Sequence, residues 1–346
     1  MTNVAVGGAT GYGGIELIRL LLAHPHVDLT FLSSEQYAGQ QVCAVHPHLL
    51  SAKGVLRALD PAAMARECDY ALLALPPGKA MEIVPQLLEA GVRVVDVGPD
   101  YRLRDTDLYP KWYDLSHTSA ELSAEAVPGI PEFYREQIAS VRLVACPGCY
   151  STAAVLAMAP LVAEGLIDVT DIVLDGKTGV SGAGRTALKL AYHFPEANET
   201  VSAYAVGGHR HMPEMVQELQ ALTDARVSVT FVPHLVPMTR GILMTAYVTP
   251  TDGAGADALR NAMQRRYADE AFVHVLPDGQ WPQTKWVQGT NLCLLGVGID
   301  HASGKGIIVS AIDNLGKGMA GQMVQCLNLM LGVDESTGLN ARSVYP

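Results

Sequence analysis

Apolar positions follow two different rhythms along the chain. In the N-terminal part, short apolar runs alternate with stretches whose apolar residues recur every three to four positions. Asn3–Gly7 reads as a strand. Gly11–Ala23 follows as a helix, with Ile15, Leu17, Ile18, Leu21 and Leu22 at helical spacing. The alternation continues with strands at Val27–Ser33 and Tyr70–Leu75, a helix at Lys79–Ala90 and a strand at Arg93–Val97. Leu143–Cys146 makes one more strand, closed by Pro147 and Gly148, and an Ala/Leu-rich helix runs from about Cys149 to Glu164. Strands alternating with helices predict a parallel, doubly wound sheet. From Asp171 onward the strands lengthen: Thr170–Lys177, Arg226–Val232, Ile242–Val248, Asn291–Asp300 and Gly306–Ile312, with helices near Pro213–Leu222 and Ala256–Ala268. This block predicts an α+β domain with a largely antiparallel sheet. Leu315–Leu331 reads as an amphipathic helix with Met319, Met323, Cys326, Leu327 and Met330 on one side, returning to the first domain. The expected organisation is residues 1–148 with 315–346, and 149–314 as the second domain.

Length and composition support that picture. A chain of 346 residues exceeds what one hydrophobic core usually serves, and 49% apolar residues without a low-complexity tract imply globular structure throughout. A net charge of −11, with no run of Lys or Arg, argues against nucleic acid or an anionic membrane as partner. Apolar stretches such as Val155–Ala163 fall far short of the roughly 20 residues that span a bilayer. Met1–Gly14 reads as strand and loop, without the pattern of a signal peptide. A cytoplasmic protein acting on a small molecule is expected. Its six cysteines (Cys43, Cys68, Cys146, Cys149, Cys293, Cys326) are too few for a disulfide framework, so free thiols are expected. Apart from Cys146 and Cys149 they read as small buried hydrophobes.

Gly8-Ala9-Thr10-Gly11-Tyr12-Gly13-Gly14 lies between the first strand and its helix, where a Rossmann-type dinucleotide fold needs glycines. Glycines there let the backbone approach a pyrophosphate and aim amides and the helix dipole at it. The spacing Gly8, Gly11, Gly14 departs from the common G-x-G-x-x-G. The second strand ends at Ser33-Ser34, with Glu35 one step beyond, rather than in the acidic residue that grips the ribose diol of NAD. Small hydroxyls leave room for a 2′-phosphate and point to NADP; a capping pair of serines is the alternative.

Cys149 follows a strand, a proline and a glycine and starts a predicted helix, a position where unpaired amides and the helix dipole favour a thiolate. The same amides could hold an oxyanion. Cys146-Pro147-Gly148-Cys149 also spells C-x-x-C; a dithiol is the rival reading, and zinc lacks a second ligand pair. Gly207-Gly208-His209-Arg210-His211-Met212-Pro213-Glu214 gathers two imidazoles, a guanidinium and a carboxylate before a helix, enough for an acid/base and for anion binding. Histidines two apart, here and at His46 and His48, lack accompanying ligands, and no metal is expected. His24 and His26 read as surface residues. Lys177 to Arg185 is a second glycine-rich turn, and Asp100-Tyr101-Arg102 places an arginine near the carboxyl edge of the first sheet.

Taken together, Gly8–Gly14, Leu73-Ala74-Leu75-Pro76, Pro147-Gly148-Cys149-Tyr150, Ser181-Gly182-Ala183-Gly184-Arg185, His209–Glu214 and Ala311–Gly318 resemble the N-acetyl-γ-glutamyl-phosphate reductase family, within the broader aspartate-semialdehyde dehydrogenase-like superfamily. The resemblance implies NADPH-dependent reduction of an acyl phosphate through a thioester on Cys149, in arginine biosynthesis. It makes His209 the acid/base and Glu214 its assistant. It lays Gly8–Gly14, Pro76, Ser181, Gly182, Ala183, Asn314 and Lys317 along the cofactor, with Ser33 and Ser34 beside its ribose. Arg102, Lys177, Arg210 and His211 become candidates for substrate, and a homodimer or homotetramer is implied. The rival readings are aspartate semialdehyde dehydrogenase, the lysine-pathway homologue that acts on a carrier-linked substrate, and a non-catalytic NADP-binding sensor. Two departures stand out. Cys146 replaces the family's Asn, which removes an amide contact and supplies a candidate disulfide partner for Cys149; Gly98-Pro99 replaces its Ser-Ala.

Overall fold

β1 (Thr2–Gly7) is buried without interruption from Val4 to Gly7, as a strand must be when helices cover both faces of its sheet. In the computed structural model, which describes residues 1–251 and 253–345, the chain forms two compact units. Residues 1–147, 184–186 and 319–341 make the first; residues 148–183, 187–318 and those from Arg342 onward make the second.

The first unit holds β1, β2 (Val27–Leu32), β3 (Tyr70–Leu73), β4 (Arg93–Asp96), β5 (Val127–Pro128) and β6 (Leu143–Ala145) in the order β2-β1-β3-β4-β6-β5, every pair parallel. This is the doubly wound sheet expected from the alternation. A parallel bridge between Ser33 and Arg57 sets a further extended segment outside β2. The chain leaves β1 toward one edge and returns at β3 on the other side, so the crevice lies at the carboxyl ends of these two strands. β3 is shorter than its apolar run: it stops at Leu73, and Ala74–Gly78 turns away. A short helix at Pro61–Glu67, capped by the Asp60 carboxylate on the Ala63 amide (3.0 Å), is too brief to show an apolar repeat.

Two expectations are corrected here. The C-terminal helix is not amphipathic. It occupies Gly321–Leu331 after a wider helical turn at Gly316–Ala320, and its polar residues Gln322, Gln325 and Asn328 are as buried as its apolar ones. Their amide N–H groups find partners within the unit: Gln322 donates to the Gly129 carbonyl (2.7 Å), Gln325 to Glu335 (2.8 Å), and Asn328 to the carbonyls of Glu335 (2.9 Å) and Thr337 (2.8 Å), while Gln322 Oε1 is buried without a partner among the described residues. His24 is likewise no surface residue; it is buried, with Nε2 2.8 Å from Asn328 Oδ1, and burial holds its imidazole below the ordinary range. His26 is exposed. Of the cysteines expected to be buried, Cys68, Cys293 and Cys326 are; Cys43 is half-buried.

The second unit is built on a mixed sheet of β7 (Ile172–Thr178), β8 (Ser202–Ala203), β9 (Val229–Leu235), β10 (Ile242–Val248), β11 (Val273–Val275), β12 (Cys293–Ile299) and β13 (Gly306–Ile312), in the order β11-β12-β13-β10-β7-β9-β8. The central pairs β12–β13, β13–β10 and β10–β7 are antiparallel, whereas β7–β9 and β11–β12 run parallel. Burial alternates residue by residue along β7 and β10, the mark of a sheet with one covered face. The helix Cys149–Ala163 packs on that face, and Ser310 on β13 donates to its Ala153 carbonyl (3.1 Å). Its residues from Tyr150 to Val162 are all buried, so its run of Ala, Leu and Val has no polar side.

Candidate functional site

The predicted nucleotide residues lie in the first unit, at the crevice between β1 and β3. Gly8 has φ +79°, and a Cβ on it would overlap the Ala74 carbonyl; a Cβ on Gly14 would overlap Gly8 and Ala9 of the loop itself. Neither position has room for any side chain. The loop is fastened from below: the Gly8 amide donates to Ser33 Oγ (3.0 Å), the Ala9 amide to the Ser33 carbonyl (2.8 Å), and Thr10 Oγ1 is 2.9 Å from Ser34 Oγ. Both serines therefore help to shape the loop, and each hydroxyl keeps further hydrogen-bonding capacity. Gly11 precedes the helix Tyr12–Leu21 with no side chain capping its first turn and no acidic residue in that turn, leaving amides and a positive dipole end for an anion. Gly13 packs against the Met319 side chain, Tyr12 is 40% exposed, and Pro76 stands in the turn after β3. A cradle that any Cβ would fill, beneath an uncapped ten-residue helix, fits a dinucleotide pyrophosphate.

Along the same edge, the Asp100 carboxylate accepts the amides of Gly78 (2.8 Å) and Met81 (3.1 Å) at the start of the helix Lys79–Glu89, and Arg102 donates to the Val97 carbonyl. Asp96, closing β4, is fully buried; burial first, then the Asp100 charge, pushes its carboxyl up to about 7, against the Gly98 amide that it accepts at 2.9 Å. Cys146 is 1% exposed, with its sulfur packed against Gly129, and both it and Cys149 are free thiols.

The predicted chemistry of the second unit gathers at the start of the Cys149 helix. Gly148 is its N-cap, and the Gly148 amide donates to Glu214 Oε2 at 2.8 Å. Glu214 is buried in the first turn of the helix Met212–Gln220. A Cβ on Gly148 would collide with the His211 ring, and one on Gly318 would sit 2.7 Å from Cys149 Cβ, so the thiol's surroundings are tightly set. Tyr150, the next residue, lies edge-on to His209 (5.5 Å) and His211 (6.2 Å), and Tyr204 (5.6 Å) and Phe231 (5.3 Å) complete a ring cage about His209. Within this cage burial, then the Arg210 charge, lowers the His209 imidazole to about 4. The His211 amide donates to His209 Nδ1 (3.1 Å). Because Nδ1 accepts, the neutral ring carries its proton on Nε2.

The remaining predicted residues are placed as follows. Asn314 bridges Ser181 Oγ (3.0 Å) and the Gly241 amide (2.8 Å), fixing the turn Val180–Ala183 that contains Gly182. Lys317 is fully buried, with its ammonium 5.8 Å from the Phe272 ring centroid. Lys177 pairs with Asp175 (2.9 Å), and Arg210 is exposed. Cys149, His209, His211 and Glu214 thus come together around one helix start, while Lys177 is engaged along β7 and Arg102 belongs to the first unit. The cage residues Tyr204 and Phe231 escaped sequence reasoning, since neither lies in a motif. Asp96 carried a readable signal, an acid directly after the apolar pair Val94-Val95 at the end of β4. Among the described residues no cluster of His, Cys, Asp or Glu is arranged to hold a metal, and no helix is long and apolar enough to cross a membrane.

Comparison with known proteins gives concordant matches. Residues 3–141 match the family model of the semialdehyde dehydrogenase NAD binding domain, and residues 149–314 that of the semialdehyde dehydrogenase dimerisation domain. The chain is 45% identical over 347 residues to N-acetyl-γ-glutamyl-phosphate reductase of Moorella thermoacetica and 48% identical over 347 residues to that of Desulforudis audaxviator, covering 100% of both chains in each case. Aspartate semialdehyde dehydrogenase II of Vibrio cholerae, complexed with ASA, is similar in structure with a TM-score of 0.73 at 20% identity, covering 96% of this chain and 98% of that one. At that identity the likeness is one of fold.

Proposed function

Starting from the N-acetyl-γ-glutamyl-phosphate reductase family, to which the chain belongs, we propose that it reduces N-acetyl-γ-glutamyl phosphate to N-acetylglutamate semialdehyde in arginine biosynthesis, using Cys149 as nucleophile, His209 as proton donor and NADPH as reductant. The observation that carries this reading is the convergence on one helix start of the thiol, the Gly148 amide held by Glu214, and the Nε2-protonated His209.

The Cys149 thiolate attacks the acyl carbon, the carbon–sulfur bond forms, and phosphate leaves with the electrons of the broken carbon–oxygen bond. Amides at the helix start stabilise the oxyanion of the tetrahedral species. Glu214 holds the Gly148 amide and so fixes how the chain enters the helix, a positioning role. The Gly8–Gly14 cradle would hold a nicotinamide dinucleotide by its pyrophosphate, and that group would supply the hydride that reduces the thioester. His209, neutral in its cage and bearing its proton on Nε2, donates to the oxygen of the reduced carbon. As the thiohemiacetal collapses, the oxygen hands that proton back to His209, the carbon–sulfur bond breaks, the aldehyde is released and the sulfur returns as thiolate.

NADP is favoured over NAD because β2 runs out into Ser33-Ser34 rather than into an acidic residue, and because Glu35 is turned aside to accept the Leu59 amide (2.8 Å). The match of residues 149–314 to a dimerisation domain supports a homo-oligomer, and a biosynthetic activity of this kind supports a cytoplasmic location.

The test runs the reaction in reverse: phosphate-dependent reduction of NADP with N-acetylglutamate semialdehyde and aspartate semialdehyde side by side. Turnover with the acetylated substrate alone, lowered by about 10³-fold or more in Cys149→Ser, is the expected result. Normal turnover in Cys149→Ser would overturn the thioester route, and a preference for aspartate semialdehyde would overturn the substrate.

A further inference from the structure

The cations at the far side of the nucleotide loop are not equivalent. Arg57 lies nearest to Ser33 along the chain's bridge to β2, but its guanidinium makes two bonds to Glu67 (2.8 and 2.7 Å) and rests 4.2 Å from the Phe31 ring centroid. Its charge is already answered. Arg185 is different. It belongs to the short stretch Gly184–Thr186 that groups with the first unit, and its Nη1 donates to the Thr10 carbonyl (2.9 Å). Its guanidinium lies 5.7 Å from the Tyr37 ring centroid. Thr10 is the loop residue whose hydroxyl meets Ser34 at the end of β2. Arg185 is thereby held on the ribose side of the glycine cradle. It is exposed, and no carboxylate among the described residues pairs with it.

A second unanswered group lies in the same unit. His46 is 3% exposed, and its buried Nε2 has no hydrogen-bond partner among the described residues. Burial and, next, the Arg185 charge hold this imidazole below its ordinary range, which places the two within electrostatic reach. A guanidinium without a carboxylate partner, fixed to the loop whose hydroxyls meet at Ser34, is a setting that an anion would complete, and the unpartnered His46 nitrogen would add to it.

We propose that Arg185 reads the 2′-phosphate of the dinucleotide, with Ser34 and His46 as its companions, and so sets the preference for NADP over NAD. The adenine ribose lies at the end of the second strand in a fold of this kind, and a fork of guanidinium donors suits a phosphate ester better than a ribose diol. The proposal rests on the NADP reading above.

Calorimetric titration of the protein with NADP and, separately, with NAD tests both without turnover. The wild type is expected to bind NADP more tightly. Arg185→Ala is expected to weaken NADP binding about 10- to 100-fold, the scale of charge-assisted bonds, and to leave NAD binding within about threefold. Arg185→Lys should recover part of the loss, and His46→Asn should reproduce a smaller share of it. If the wild type binds both dinucleotides alike, the NADP reading itself falls. If the wild type prefers NADP and Arg185→Ala keeps that preference, or loses both dinucleotides equally, the assignment of Arg185 is wrong while the cofactor reading stands.

Discussion

The two units build their sites from opposite materials. In the first, the cradle is backbone: Gly8 and Gly14 contribute the absence of a side chain, and the serines below them hold the loop in place. In the second, the proposed site is made of side chains: a thiol, an imidazole and a carboxylate gathered at one helix start. A backbone site should be intolerant of bulk and indifferent to charge. A side-chain site should tolerate equal bulk and fail when chemistry changes. Substitutions of each kind can break or sharpen this contrast.

The largest effect is expected from His209→Asn, which keeps a polar group of similar reach but removes the Nε2 proton. Turnover should fall about 10²- to 10⁴-fold, while dinucleotide affinity measured by titration stays unchanged. Loss of affinity instead would move His209 into the nucleotide site and blur the contrast. Next comes Gly14→Ala, one methyl group in a space that backbone already fills. Overpacking of this kind costs about 1–3 kcal/mol, so dinucleotide affinity should drop roughly 10- to 100-fold; an unchanged titration would show that the loop can yield. Glu214→Gln is milder, because an amide oxygen can still accept from Gly148. Turnover is expected to fall about tenfold, the loss of one charge-assisted bond's surplus over a neutral one, and an equal fall in Glu214→Gln and Glu214→Ala would deny the Gly148 bond any role.

The smallest effect concerns pH. Asp96 in the first unit is pushed up to about 7 from an ordinary 3.8, so between those values the folded protein keeps a proton that the unfolded chain gives up; its contribution to stability is present at low pH and is lost as pH rises toward 7. His209 in the second unit is lowered to about 4 from 6.5, so the unfolded chain takes up a proton that the folded protein refuses; stability is lost as pH falls from 6.5 toward 4. The two slopes oppose each other across the shared window. Urea midpoints between pH 4.5 and 6.5 should therefore rise with pH more steeply in Asp96→Asn than in the wild type. In His209→Asn the slope should shift the opposite way, and parallel curves in all three proteins would refute one or both shifts.

What could be read from sequence divides along the same line. The cradle and the first sheet were legible because close backbone approach and parallel pairing leave local marks, glycine spacing after Gly7 and alternating runs up to Ala145. The start of the Cys149 helix was legible too, since Pro147 and Gly148 end one element and begin another. The polar side of Gly321–Leu331 was misread because its partners lie far away in sequence: Asn328 meets His24 across 304 positions, and Gln322 meets Gly129 across 193. Periodicity reports that a residue is polar, not that a distant partner will let it be buried. Tyr204, Phe231 and the grip of Arg185 on Thr10 are of the same kind, contacts fixed by the tertiary fold alone.

That discontinuity bears on how the protein is made. The first sheet receives His24's partner, the carbonyl that takes Arg93 at Met330, and the Met319 side chain beside Gly13 only from the last stretch of the chain. A ribosome adding 5–20 residues per second leaves roughly 10–40 s between emergence of the final parallel strand and arrival of the helix that seals it. During that interval the nascent chain carries an open apolar seam and several unpaired polar groups. The first sheet is therefore closed only by residues made long after its final strand.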